Sequence, residues 1–353
     1  MMPELNALRG LACLAVLCYH GFWWYIPEGA VGMERWLAIG TSGGFRGVSL
    51  FFVLSGFLIT GILLDSMQRL DYFVRFYKRR ALRILPAYYL TLILLALYGL
   101  QTKAFLFVSL LHIANMAPTL GIAMQYGPLW SLAVEEQFYF LWPMIVRFLN
   151  ARIVAILAGS IFVGSVVSWL RLSDNSPTSA FPIWYSAHGL ALGALLAIFL
   201  RSRFATRGSA LQVALGSGIV GVWLLIASHW QELRTPTRGM LECGAWDLLF
   251  AAGLVGALLG GSSRFENWLR PKPLLFIGEI SYGLYLVHSL VFIVYRRIFH
   301  PAGDLGSILI EFLVCASISI LLATVSRFTI EEWFLRVKDK PLWRVRLLAR
   351  EST

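Results

Sequence analysis

The sequence predicts an all-α, polytopic integral membrane protein with about ten transmembrane helices and one short re-entrant or interfacial piece. Three observations carry this. First, hydrophobic residues make up 58% of the 353 residues and charged residues only 14%. With Tyr removed and Gly added, the apolar share is about 63%, against roughly 45–50% in soluble domains, where charge is roughly 25%. Such a chain has too few polar groups to cover a soluble globule. Second, the apolar residues fall in runs of membrane-spanning length, roughly 17–25 residues. Third, the basic residues that produce the net charge of +11 sit in short segments between those runs. That distribution points to membrane topology and not to a nucleic-acid partner.

The runs lie near 5–25, 44–64, 84–100, 129–147, 153–170, 183–200, 210–228, 241–260, 274–295 and 305–327. Met1–Ala7 has no basic cluster and no small-residue cleavage site closes the first run, so it is expected to remain as an uncleaved first helix. The stretch 104–123 is interrupted by His112, Asn115 and Pro118. Orientation decides its status. With ten spans and a cytoplasmic N-terminus, twenty basic residues lie inside and eight outside; if 104–123 also spans, the inside count falls to about eleven. The short-piece reading is therefore preferred, with both termini cytoplasmic. Irregular backbone at membrane depth must then be sealed by protein. Residues 1–335 form one transmembrane domain and 336–353 a basic cytoplasmic tail. Tyr72–Arg83 and Arg336–Arg350 mix bases with aromatic and aliphatic residues, as interfacial helices on an anionic lipid bilayer do. Cys13, Cys18, Cys243 and Cys315 lie inside apolar runs and read as core residues, with neither disulfide nor zinc spacing.

Ionisable residues inside spans are costly and mark sites or internal pairs. At about 1.5 Å per residue, His20, Glu135 and His288 all fall about 21–22 Å from the inner face. Arg9 and His20 are eleven residues apart, three turns plus about 20°, so they share one stripe about 16 Å apart. A long thioester carrier fits that stripe, its phosphates on Arg9 and the basic cluster at 78–83, its thioester at His20. Neutral imidazole is the natural general base near pH 7, and Glu135 is expected to fix its tautomer. Glu136 points about 100° away from Glu135, so one of the two serves a given partner. Arg80 and Arg83 share a helix face; the plainer reading of this pair is a positive-inside anchor. His112 and His188 read as interhelical hydrogen-bond partners. Glu242, Asp247 and Glu279 are expected near interfaces, and Glu311 with an internal partner. Mid-span Ser55-Gly56-Phe57 combines a hydroxyl with a close-approach glycine. No metal-ligand spacing, P-loop, dinucleotide fingerprint or GxSxG elbow is present.

Five strings then come in order: Leu8-Arg9-Gly10-Leu11-Ala12 running to His20; Phe51-Phe52-Val53-Leu54-Ser55-Gly56-Phe57-Leu58; Arg79-Arg80-Ala81-Leu82-Arg83-Ile84-Leu85-Pro86; Trp130-Ser131-Leu132-Ala133-Val134-Glu135-Glu136-Gln137-Phe138-Tyr139; and Ile280-Ser281-Tyr282-Gly283-Leu284-Tyr285-Leu286-Val287-His288. In these the chain resembles membrane acyltransferase family 3, bacterial proteins that O-acylate sugars and related acceptors. The resemblance runs over residues 8–288. It implies an O-acyltransferase of the bacterial inner membrane that uses acyl-CoA, most often acetyl-CoA, as donor substrate and a carbohydrate or glycolipid acceptor, with no permanently bound cofactor. It implies that His20 acts in catalysis, that Glu135 supports the site, and that Arg9, Arg80 and Arg83 hold the donor. Ser55, Trp130, Ser131, Tyr282 and His288 are the candidates for lining the substrate cavity. Two departures stand out. Trp333 replaces the proline of the family's Glu-x-Pro, which leaves the role of Glu331 open, and the end at Thr353 leads us to expect no hydrolase-like extra domain. One-step transfer and an acyl-enzyme route both remain open, and the depth of the three ionisable groups favours an acceptor from the outer side. The rival readings are a transporter or flippase for a lipid-linked sugar, against which the lack of an internal repeat argues, and a structural subunit, against which the buried charges argue.

Overall fold

A computed structural model describes residues 2–26, 29–171, 182–230, 232–259 and 270–337, and the account below concerns these. Of the basic tail expected at 336–353, residues 338–353 lie outside the described residues, as does Arg264 in the preceding cytoplasmic segment. Among those described the secondary structure is helical, with no strand. Fourteen α-helices follow in order: α1 Pro3–Cys18, α2 Gly32–Ser42, α3 Gly47–Asp65, α4 Tyr72–Leu97, α5 Lys103–Leu110, α6 Pro128–Phe148, α7 Ala151–Ser168, α8 Ile183–Ser186, α9 His188–Leu200, α10 Arg207–Ser228, α11 Thr235–Leu259, α12 Lys272–Phe299, α13 Leu305–Ser326 and α14 Glu332–Val337.

Each of the ten expected spans is occupied by helix, and eight helical stretches are long and apolar enough to cross a membrane. The two that fall short have physical reasons. In α6, Glu135, Glu136 and Gln137 interrupt the apolar run. The expected span 183–200 breaks at Ala187 into α8 and α9, and α9 has only 13 residues. Nine of those are buried, because α3, α7 and α11 all pack against it. The lipid-facing surface is legible on α10, which packs against α11 and turns Leu211, Leu215, Ile219, Trp223 and Ile226 outward in one stripe. In water that stripe would be an aggregation surface; hydrocarbon is the solvent that suits it.

The stretch 104–123 is not a span. Thr102 caps α5, accepting a hydrogen bond from the Phe105 amide, and two short turns follow at Ala114–Met116 and Pro118–Leu120. Its polar groups are closed off by neighbouring helices, as a non-helical stretch at membrane depth requires. Tyr88 on α4 donates to the Ser109 carbonyl at 2.7 Å, and Gln137 on α6 donates to the His112 carbonyl at 3.1 Å and to Asn115 Oδ1 at 2.8 Å.

Close helix crossings hold the centre together. Gly56 of α3 lies where a Cβ would come 2.0 Å from the Leu190 carbonyl oxygen of α9, and Gly193 of α9 lies where one would come 2.1 Å from the Val53 oxygen. This is the small-residue packing that membrane helices use in place of hydrophobic drive. α1 packs along α12, and its α-helix gives way to a π-helical turn at Tyr19–Trp23. A second π turn, Arg327–Glu331, follows α13. π turns recur at functional positions, and these two carry His20 and Glu331.

Candidate functional site

The site is a crevice enclosed by α1, α3, α4, α6 and α12, about 970 Å³ including its open part. On α3 its wall runs from Val48 to Ile62, about 21 Å along the helix. Arg9, Arg80 and Arg83 line it, together with Ser55, Ser131, Glu135, Glu136 and Tyr282. Three guanidiniums thus meet two carboxylates inside a membrane-spanning bundle, which favours an anionic occupant. Arg9 donates from Nε to Ser281 Oγ at 3.3 Å. Arg80 lies over the Tyr139 ring at 5.3 Å, a cation–π contact that holds the guanidinium against the wall.

The sequence leads us to expect Glu135 to fix the His20 tautomer; its hydrogen bonds go elsewhere, and His20 pairs with His288 instead. Ser55 donates to Glu135 Oε1 at 3.0 Å and Tyr139 to its Oε2 at 2.7 Å. Both oxygens are therefore engaged within the crevice, where Arg9 and Arg80 are the cations acting on them. The reason is helical spacing: Tyr139 stands four residues beyond Glu135 on the same face, and α6 packs that face on α3. Glu136 also lines the crevice, so the 100° between the two carboxylates still leaves both on a wide cavity wall. Tyr282 lines it and donates to the Ile84 carbonyl at 2.8 Å. Trp130 stands outside the wall, its ring edge-on to Phe52 at 6.0 Å.

His20 and His288 also stand outside the wall, and they meet each other. Arg9 and His20 both reach α12, at Ser281 and His288, seven residues or about 10 Å apart. His288 Nδ1 is 3.1 Å from the Leu284 carbonyl, a pure acceptor, so Nδ1 carries the hydrogen. His288 Nε2 then accepts, from Ser289 Oγ at 3.0 Å and from His20 Nδ1 at 3.1 Å. His20 Nδ1 also sits 3.1 Å from the Val16 carbonyl, which again places the hydrogen there. The lone pair of His20 is left on Nε2, and the residue is partly exposed. The histidine pair adjoins the crevice through Tyr285, which lines it, touches His288 ring to ring at 5.7 Å and shares a 2.6 Å hydrogen bond with Ser131.

Glu331, whose role was open, is buried beside the crevice within range of Arg83 and Arg9, and its Oε1 makes no hydrogen bond. Sequence reasoning missed Tyr139, Tyr285 and Ser281; the four-residue step from Glu135 was the available signal for Tyr139.

The remaining buried charges are structural. Asp247 is fully buried on α11 and takes His188 Nδ1 at 2.5 Å. Arg46 joins the same region, paired with Glu242 and donating to Cys243 Sγ at 3.6 Å. Glu311, buried, finds Arg296, at 2.5 and 2.7 Å, whereas Glu279 is exposed and pairs with Arg327 at 2.9 Å. Removing one member of a buried pair strands the other, at a cost of about 3–5 kcal/mol. Asp247→Ala is thus expected to lower the thermal unfolding midpoint in detergent markedly, and the double variant with His188→Ala to recover part of the loss. An unchanged midpoint in the single variant would contradict the structural role.

Comparison with known proteins gives a family match. The sequence model described as "Acyltransferase domain" matches residues 2–327. "O-acetyltransferase OatA" of Staphylococcus aureus is 27% identical over 334 residues, covering 86% of this chain and 52% of its own. "Peptidoglycan O-acetyltransferase OatA" of Listeria monocytogenes is 28% identical over 325 residues, covering 81% and 49%. "Putative peptidoglycan O-acetyltransferase YrhL" of Bacillus subtilis is 28% identical over 345 residues, covering 87% and 50%. The chain spans about half the length of these curated relatives. No solved structure matches.

Proposed function

The chain belongs to the acyltransferase family, and from that premise we propose that it is an O-acetyltransferase acting on a glycan hydroxyl at the bacterial cytoplasmic membrane, with acetyl-CoA as donor and both termini cytoplasmic. The observation that carries this reading is a crevice lined by three arginines that adjoins an imidazole pair with one free basic nitrogen. The donor's phosphates lie on Arg80 and Arg83, near the cytoplasmic end. Its pantetheine arm runs along α3 past Arg9. The Tyr285 ring moves off Ser131 to admit the thioester to the histidines.

Chemistry follows from the tautomer. His20 Nε2 takes the proton of the acceptor hydroxyl as its oxygen attacks the thioester carbonyl carbon. The C–S bond breaks, and the coenzyme thiolate leaves with the proton returned by the imidazolium. His288 Nε2 holds His20 Nδ1–H throughout, so that Nε2 stays the base. Glu135, fixed by Ser55 and Tyr139, balances Arg9 and Arg80 and keeps the crevice wall in place while the donor is absent.

The test is transfer of labelled acetyl from acetyl-CoA to a glycan fragment by the purified protein in detergent. Folded protein that moves no label would overturn the reading, and donor-independent movement of a lipid-linked sugar would replace it with a transporter. Charge-assisted hydrogen bonds are worth about 1.5–3 kcal/mol each. Arg80→Ala and Arg83→Ala are therefore each expected to raise the donor KM roughly ten- to hundred-fold, with kcat close to wild type and a weaker dependence of KM on salt. Variants with unaltered donor KM would remove these two residues from the donor site.

A further inference from the structure

A second concavity lies on the other side of the histidine pair, between the π turn and α2. Tyr19, Trp23, Trp24, Ile26, Arg35 and Ile39 are among the residues that line it. We propose that it is the subsite for the acceptor glycan, binding a pyranose ring by stacking on Trp23 or Trp24 with its hydroxyls on Arg35; this rests on the acetyl-transfer reading above.

Position is the first argument. Tyr19 and Trp24 flank the His20 ring, at centroid distances of 5.2 and 6.1 Å, and both line the concavity. The base therefore stands between two chambers of different chemistry. The crevice, lined by guanidiniums, suits a phosphorylated carrier. The second chamber is lined by flat aromatic faces and one cation. The C–H face of a pyranose carries slight positive charge and meets the negative face of an indole, while its edge presents hydroxyls.

Polar chemistry is the second argument. Arg35 makes no ion pair or hydrogen bond among the described residues, so its five donors are unclaimed. A membrane-interface tryptophan alone needs no concavity and no unclaimed guanidinium beside it. Here Trp23 and Trp24 remain 43% and 64% exposed although they stand in a pocket beside a basic nitrogen. α2 contributes Arg35 and Ile39, neither of which is buried; it packs Leu37 and Ala38 against the core and leaves Arg35 and Ile39 to the concavity.

The experiment uses a soluble peptidoglycan glycan fragment as probe and the full chain in detergent. Binding is read by titration with the fragment, and turnover by acetyl transfer from acetyl-CoA. Trp23→Ala and Arg35→Ala are the variants, since neither residue touches His20. Each is expected to weaken fragment binding and raise the acceptor KM tenfold or more, while the donor KM and the thermal midpoint stay within twofold and a few degrees of wild type. Trp23→Phe, which keeps a ring face, is expected to restore most of the affinity. Acceptor affinity within twofold of wild type in both alanine variants overturns the subsite, as does a wild-type protein that does not bind the fragment. A wild-type protein that binds the fragment through Trp23 yet transfers no acetyl leaves the subsite standing and removes the acetyl-transfer reading instead.

Discussion

His20→Ala is expected to lower acetyl transfer by about 10²–10⁴-fold, the usual contribution of a positioned general base, while the protein still folds and still binds donor. Folding is expected to survive because the partner left behind is not stranded: His288 keeps its bond to the Leu284 carbonyl and its Nε2 still accepts from Ser289. Donor binding survives because the arginines line a crevice whose wall does not include His20. His288→Ala leaves the base in place but frees its ring, so a smaller fall, roughly tenfold, is expected together with a displaced pH–rate profile. These variants separate a base from a structural histidine. A structural pair would lower the unfolding midpoint in both cases and leave turnover per folded molecule unchanged. Near wild-type transfer by folded His20→Ala would end the assignment.

Gly56→Val is expected to abolish accumulation of folded protein in the membrane. A Cβ at this position falls 2.0 Å from a backbone oxygen of α9, which is not a flexible side-chain tip that can turn away. α3 and α9 would have to separate, and with them Val53 and Leu190, which have no exposed surface. Overpacking a well-filled core costs about 1–3 kcal/mol where neighbours can adjust, and here the neighbour is backbone on a helix locked between α3, α7 and α11. Even Gly56→Ala is expected to destabilise the protein strongly. Gly216→Ala is the matched control, because nothing lies within 4 Å of its Cβ position; there the gain in helix propensity, about 0.8–1.0 kcal/mol, is expected to leave stability equal or higher. Equal yields of the two alanine variants would refute the crossing as the cause.

Much of the site was readable along the chain. Arg9, Ser55 and Glu135 were picked out by polar chemistry inside apolar runs, Arg80 and Arg83 as a basic cluster between them, and Ser131 and Tyr282 through the family resemblance, and the fold brings all seven to one crevice. The pairing of His20 with a partner was harder to read. Straight-helix arithmetic set Glu135 at the depth of the two histidines, yet depth carries no information on which way a neighbouring helix is rotated. Packing turns Glu135 toward Ser55 and His288 toward His20. The π turn at Tyr19–Trp23 also lies outside a 100° periodicity. Asp247 and His188 are 59 residues apart, and no local pattern links them.

The all-α membrane class, the order of the long apolar helices and the short piece at 104–123 follow from the chain alone, because the cost of exposing backbone and charge to hydrocarbon is set residue by residue and needs no knowledge of neighbours. The crevice, the histidine pair and the aromatic chamber beside it exist only where helices distant in sequence meet. There, close approach at glycines and the demand of each buried donor for an acceptor choose which faces oppose one another, and those choices belong to the packed bundle.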